Sequence, residues 1–121
     1  MAKRILIVDD DELVLIALKE LLKPHGYEVH TLTSGSEALR RLDREAFDLF
    51  VLDIMMPEMD GFELCRRIRG KESFKEIPIV FLTAKSRDED RVQGLEVGAN
   101  LFLSKPISPT KLLGLIAETL S

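Results

Sequence analysis

The sequence is short of several things that carry common functions, and each shortage narrows what the chain can be. It has one cysteine, Cys65, so no intrachain disulfide can form. With apolar neighbours on a predicted helix, Cys65 reads as a small core residue. Neither CxxC, HExxH nor GxSxG occurs, and the two histidines, His25 and His30, fall at a predicted turn and an edge strand without metal-ligand spacing. Both read as surface residues. Lys and Arg number 17 against 21 Asp and Glu, a net charge of −4, which argues against direct contact with nucleic acid because that needs a basic face. No apolar run approaches the ~20 residues needed to cross a bilayer. The opening "MAKRILIVDD" is too short in its apolar part and lacks the small-residue cleavage site of a secretion signal. A cytoplasmic, reducing location is the expectation. No repeat, low-complexity tract or Pro/Gly/Ser-rich linker interrupts the chain, so residues 1–121 are expected to form a single domain.

What is present is an ordinary globular balance, with 45% hydrophobic and 31% charged residues in 121, enough to bury one core. Five short apolar runs, "RILIVD" (4–9), "YEVHTL" (27–32), "DLFVLD" (48–53), "PIVFLT" (78–83) and "LFLS" (101–104), alternate with amphipathic segments, "ELVLIALKELLK", "SEALRRLDREA", "GFELCRRIR", "RDEDRVQGLEVG" and "SPTKLLGLIAETL". Strand–helix alternation of this kind predicts an α/β fold, a parallel sheet with helices on both faces. The first, third and fourth runs are apolar almost throughout, as central strands are. The second alternates and the fifth is short, so both belong at edges. With right-handed crossovers, these constraints give a doubly wound five-stranded sheet of order 2-1-3-4-5 with five helices, the flavodoxin-like arrangement.

Helix ends are marked as well. Ser34 with Glu37, Ser86 with Glu89 and Asp60 with Glu63 have capping-box spacing or close to it. Ser108 before Pro109 reads as an N-cap and first helical position. Asp11 reads as the N-cap of the first helix. Gly26 and Gly98 stand where helices should stop. The charge runs "RRLDRE" and "KSRDEDR" read as solvated helix faces.

The strand ends carry the chemistry. The first run ends in Asp9, Asp10 and Asp11, the third in Asp53, the fourth in Thr83, and the fifth in Ser104 and Lys105. Parallel strands put their carboxyl ends on one rim, and ligands of such sheets bind there at the switch point between the first and third strands. Singly, each residue has an ordinary explanation: an Asp after a strand opens a turn, and a lone lysine is a solvated charge. Jointly, Asp9, Asp10 and Asp53 should meet in one small space, where several carboxylates need compensation. A hard divalent cation such as magnesium supplies it. Lys105 adds a fixed positive charge and Thr83 a hydroxyl. That set suits phosphoryl transfer, with Asp53 as nucleophile forming an acyl phosphate.

With these residues in place, "ILIVDDD", "LFVLDIMMPEMDG", "IVFLTAK" and "GANLFLSKPI" resemble, in order and spacing, the receiver domain of two-component response regulators, and the likeness runs from about Ile5 to Leu120. The resemblance implies that Asp53 accepts phosphate from a histidine kinase or histidine phosphotransfer protein. It implies that magnesium is held by Asp10 directly, by Asp9 mainly through water, by Asp53, and by the backbone carbonyl of Met55. Lys105 would pair with Asp53 and later with a phosphate oxygen, while Thr83 and the backbone N–H of Ala84 would hold another. Phe102 falls at the family's aromatic switch position, and Lys105–Pro106 at a cis peptide. Such a protein catalyses its own phosphorylation and dephosphorylation and is not a turnover enzyme on an external substrate. Its output is a changed surface around the fourth helix, fifth strand and fifth helix.

The segment from Ser86 to Gly98 suits a switch, having a thin apolar stripe, chiefly Val92 and Leu95, and an internal Gly94 that weakens a helix by about 1 kcal/mol relative to alanine. Departures from the family pattern are Asn100 and Leu101 where paired acids are frequent, expected to alter the surface rather than the chemistry, and Phe102 in place of a tyrosine. Met55 and Lys85 occupy positions that tune dephosphorylation in the family. Rival readings are weaker. A haloacid-dehalogenase-type phosphatase carries a second Asp where Met55 stands, and a nucleotide hydrolase would need a GxxxxGK[ST] loop that the chain lacks. A receiver-like binding module working without phosphorylation is opposed by intact Asp9, Asp10, Asp53, Thr83 and Lys105. A free-standing receiver, a relay component and part of a longer regulator all stay open, as does a homodimer on activation.

Overall fold

The computed structural model describes residues 2–121; Met1, included in the single-domain expectation, lies outside the described residues. Five strands, β1 (Arg4–Val8), β2 (Glu28–Leu32), β3 (Leu49–Leu52), β4 (Ile79–Thr83) and β5 (Leu101–Ser104), alternate with α1 (Glu12–Leu22), α2 (Gly35–Leu42), α3 (Gly61–Arg69), α4 (Asp88–Glu96) and α5 (Pro109–Leu120). The sheet is parallel with order β2-β1-β3-β4-β5, as the pattern of apolar runs predicts. β3 and β4 are buried along their whole length, and β1 from Ile5 onward, because each has neighbours on both sides and helices over both faces.

The alternation of side chains divides the interior in two. Leu6, Val8, Phe50, Leu52 and Phe81 point to one layer with Ala38, Leu64 and Ile68 of α2 and α3. Ile5, Ile7, Val51 and Val80 point to the other with Leu15, Leu18, Leu112 and Ile116 of α1 and α5. Each of the larger of these side chains, Ala38 aside, contributes roughly 1.5–3 kcal/mol by leaving water. Cys65 is in the first layer, its thiol donating to the carbonyl of Val97 at 3.4 Å.

Most of the expected caps form. Asp11 accepts the Leu13 N–H at 3.0 Å, Ser34 that of Glu37 at 3.3 Å, Asp60 that of Glu63 at 2.9 Å and Ser108 that of Lys111 at 3.1 Å. Gly26 ends the single 3-10 turn that follows α1 with φ 91°, and Gly98 follows α4 with φ 108°. The Lys105–Pro106 peptide is cis.

Two expectations are corrected and two are refined. The Ser86 cap is one: α4 begins at Asp88 with Arg87 as its N-cap, and the Asp90 carboxylate accepts the Arg87 N–H at 3.1 Å. Val92 and Leu95 are the second, since they are 55% and 60% exposed; the inward face of α4 is Asp90 and Gly94. Asn100 is the first refinement. Its side-chain oxygen accepts the Ile79 N–H at 2.9 Å and an Arg69 N–H at 3.0 Å, while Arg69 also donates to the carbonyls of Phe74, Ile77 and Gly98. Asn100 itself is exposed and away from the acidic rim, as a surface change implies, and its bonds with Arg69 and Ile79 clamp α3 to the start of β4 and the loop before β5. The second refinement concerns the charge runs and His30: Arg40, Asp43, Arg44, Lys85, Arg87, Asp88, Glu89 and Arg91 are exposed, as solvated faces should be. Asp90 is buried, and Arg41 and Glu45 belong to a half-buried group with Arg4 and His30 that the exposed Glu28 joins. In that group His30 faces Arg41 at 2.9 Å and Glu28 at 2.6 Å, with Phe47 edge-on. His25 is exposed, as expected.

Candidate functional site

Register brings the acids together. Val8 pairs with Leu52, so the residues that follow each, Asp9 and Asp53, leave the sheet side by side, and the Asp53 N–H donates to the Val8 carbonyl at 3.0 Å. On the other side Thr83 pairs with Ser104, and the Lys105 N–H donates to the Thr83 carbonyl at 2.8 Å. Continued pairing at the strand ends therefore delivers four chemically active residues to one rim.

Asp9 and Asp53 are buried, 3% and 7% exposed, whereas Asp10 is exposed. One carboxylate oxygen from each of the three lies within 4.8 Å of the others. Asp9 uses Oδ1 to accept the Asp11 N–H at 2.9 Å and Oδ2 to accept from Lys105 Nζ at 2.8 Å. Asp53 uses Oδ1 to accept the Ile54 N–H at 2.7 Å, and its Oδ2 stands 3.4 Å from the same ammonium. Lys105 thus bridges both buried acids and is closer to Asp9, not to Asp53 as the family pairing implies.

Burial, and secondarily the negative charge of Asp53, raises the Asp9 carboxyl above the usual aspartate range despite the hydrogen bond from Lys105. Burial works against the Lys105 ammonium, yet the hydrogen bond to Asp9 and the field of Asp53 lift it above the ordinary lysine value. Among the described residues the pocket therefore holds three acids against one clear cation, all hard oxygen donors turned toward one another. That donor set fits a hard divalent cation.

The remaining expected residues surround this pocket. Thr83 is fully buried, and its hydroxyl oxygen accepts the Lys85 N–H at 3.1 Å. Ala84 is exposed at the rim beside Met55, which is 59% exposed, and both border an open cleft with Lys85 and Asp90. Phe102 lies further out on β5, half-buried, with its ring 5.9 Å from that of Phe81 and the Arg91 guanidinium 5.1 Å from its centre. Arg91 also donates to the Phe102 carbonyl and the Ser104 hydroxyl.

Sequence reasoning left Gly61 without a task. A Cβ there would lie 2.1 Å from the Asp53 carbonyl oxygen and 2.8 Å from the Ile54 Cα, and the Gly61 N–H donates to the Ile54 carbonyl at 2.9 Å. The start of α3 therefore presses directly on the backbone that carries Asp53. The signal was present as a glycine immediately after the Asp60 cap, where a helix has no local need of one.

The family model described as the response regulator receiver domain matches residues 5–117. The chain belongs to the response regulator receiver family. Among the curated relatives of this receiver, the alkaline phosphatase synthesis transcriptional regulatory protein PhoP of Bacillus subtilis is 44% identical over 109 residues, 90% of this chain and 45% of that protein. Among solved structures, chemotaxis protein CheY4 of Vibrio cholerae superposes with a TM-score of 0.94 at 34% identity, covering 99% of this chain and 100% of that one. The receiver domain of the sensor histidine kinase PA1611 from Pseudomonas aeruginosa, with a magnesium ion coordinated in its active site cleft, superposes at 0.90 with 29% identity over 99% and 98% of the two chains. This receiver spans about half the length of the curated relatives it matches, from 45% to 53%.

Proposed function

We propose that this receiver is a phospho-accepting switch of a two-component phosphorelay, in which Asp53 takes the phosphoryl group from the phosphohistidine of a histidine kinase or phosphotransfer protein. The observation that carries the reading is the meeting of Asp53 with Asp9, Asp10 and Lys105 at the switch point between β1 and β3. Receivers are signalling switches and not substrate-turnover enzymes.

An Asp53 carboxylate oxygen forms a bond to phosphorus as the donor's P–N bond breaks. The electron pair leaves on the imidazole nitrogen, which takes a proton. Lys105, fixed between the two buried acids, contacts one oxygen of the transferring group, while the Thr83 hydroxyl and Ala84 N–H hold another. Asp9, Asp10, Asp53 and the Met55 carbonyl would hold magnesium, which when bound neutralises charge on the phosphoryl oxygens. In this reading the occupied site draws Thr83 inward, Phe102 turns, and the face made by α4, β5 and α5 changes for a partner or a second copy. The curated relatives it matches include transcriptional regulatory proteins, PhoP among them; with a net charge of −4, this domain acts on such an output through protein contact and not by touching nucleic acid itself. Among the described residues no helix is long and apolar enough to cross a membrane, and the cytoplasm is the proposed location.

Intact mass after incubation with acetyl phosphate tests the reading. The expected result is a magnesium-dependent gain of one phosphoryl group in wild type and none in Asp53→Asn. A gain of equal size in the variant would remove Asp53 from its role.

A further inference from the structure

Phe102 sits in a slot that α4 builds, and the slot depends on an atom that residue 94 does not have. Gly94 is buried on the inward face of α4. A Cβ at that position would lie 2.8 Å from Phe102 Cδ2, 3.2 Å from Cε2 and 3.3 Å from Phe81 Cδ2. Real carbon contacts do not close to 2.8 Å, so the ring or the helix would have to move. The floor of the slot is Phe81, itself fully buried and held edge-on by Phe62 at 5.6 Å. Its outer wall is Arg91, three residues before Gly94 on the same helix, with its guanidinium 5.1 Å from the ring centre and hydrogen bonds to Phe102 and Ser104 of β5. Gly94 and Arg91 therefore grip one ring from one helix.

We propose that Gly94 is a positioning residue for Phe102, the missing Cβ being what seats the ring against Phe81 and makes the ring and α4 change position together. The inference rests on the reading of Phe102 as a switch only for its consequence; the seating itself is a matter of packing. A glycine inside a helix normally weakens it relative to alanine, and its retention facing a ring gives that weakness a use. α5 supplies an internal control. Gly114 is also mid-helix, is exposed, and has nothing within 4 Å of where a Cβ would stand.

The test compares urea unfolding of wild type, Gly114→Ala, Gly94→Ala, Phe102→Ala and the Gly94→Ala/Phe102→Ala double variant. Gly114→Ala should raise the midpoint. Gly94→Ala should lower it or leave it unchanged in wild type, yet raise it in the Phe102→Ala background by most of the Gly114→Ala increment. An equal rise from Gly94→Ala in both backgrounds overturns the proposal. A second readout uses 4-fluorophenylalanine labelling, with the Phe102 resonance assigned by its loss in Phe102→Ala. Gly94→Ala should displace that resonance without phosphate, and Gly114→Ala should not; an unmoved Phe102 signal in Gly94→Ala also overturns it. Adding acetyl phosphate and magnesium to wild type separates the two readings. If Asp53 is phosphorylated while the Phe102 resonance stays put, the switch role falls but the seating by Gly94 stands.

Discussion

Replacing Asp53 by asparagine should stabilise the metal-free protein. The change keeps the shape and retains an oxygen to accept the Ile54 N–H, but removes one of three carboxylates that each turn an oxygen to within 4.8 Å of the others. Two full charges at that separation repel by about 3–4 kcal/mol at an effective dielectric near 20. Asp10 is exposed, so its share is screened to about 1 kcal/mol or less. Against the gain stands the loss of the Lys105–Asp53 contact at 3.4 Å, the weaker of the two that Lys105 makes. The net expectation is a gain of about 1–2 kcal/mol at pH 7, or about 4–8 °C in Tm for a chain of this size.

The gain should depend on pH in a definite sense. The folded Asp9 carboxyl is raised above its unfolded value by burial first, and next among the raising influences by the charge of Asp53. Such a group contributes stability that is full below the ordinary aspartate range and is lost as the pH rises through its raised value. Asp53→Asn removes one cause of that rise, so its advantage is largest at neutral pH and fades as acidification protonates Asp9. Urea unfolding in chelator at pH 7 and pH 4 measures both quantities. A variant no more stable than wild type at pH 7, or an advantage that does not shrink at pH 4, would refute the electrostatic account of the pocket.

Magnesium should raise the unfolding free energy of the wild type by about 2.7 kcal/mol at a hundred times its dissociation constant, seen as a higher urea midpoint, and raise that of Asp53→Asn much less; equal shifts in titrations of both would remove Asp53 as a ligand. Gly61→Ala should cost about 1–3 kcal/mol by overpacking and should slow phosphorylation as well, because the backbone it displaces carries Asp53; unfolding and acetyl phosphate kinetics report the two effects separately. Arg69→Ala should cost about 2–4 kcal/mol, since three carbonyls and the Asn100 oxygen lose a charged donor, with unfolding midpoints as the check. Cys65 should resist thiol reagents at pH 8, burial holding its thiol up at about 11 and the thiolate fraction near ~0.1%; labelling faster than global unfolding would contradict its place in the core.

Much of the molecule was legible because the relevant signals are local. A strand buried on both faces has to be apolar throughout, and an edge strand does not; that contrast between "LFVL" and "EVHTL" places β3 inside and β2 at the border. Caps read correctly wherever a short polar side chain stands two or three residues before an N–H it can reach, as at Asp11, Ser34, Asp60 and Ser108. α4 broke the rule because two of its residues do unusual things. Asp90 turns a carboxylate inward to cap its own helix, and Gly94 faces a ring with no side chain at all, so the apolar residues Val92 and Leu95 are left to the solvent side.

The sequence by itself determined the order of strands, the rim on which the acids gather and the positions of most helix starts, because periodicity, turn chemistry and burial act over a few residues at a time. The tertiary structure alone decided that Lys105 binds Asp9 more closely than Asp53, that Arg69 reaches Gly98 and Asn100, and that Gly94 seats Phe102. Lys105 and Asp9 are 96 residues apart in the chain, and Arg69 and Gly98 are 29 apart. No local pattern records which side chain a neighbour will meet at that distance, since the choice is made by ångström-scale packing after the sheet has closed.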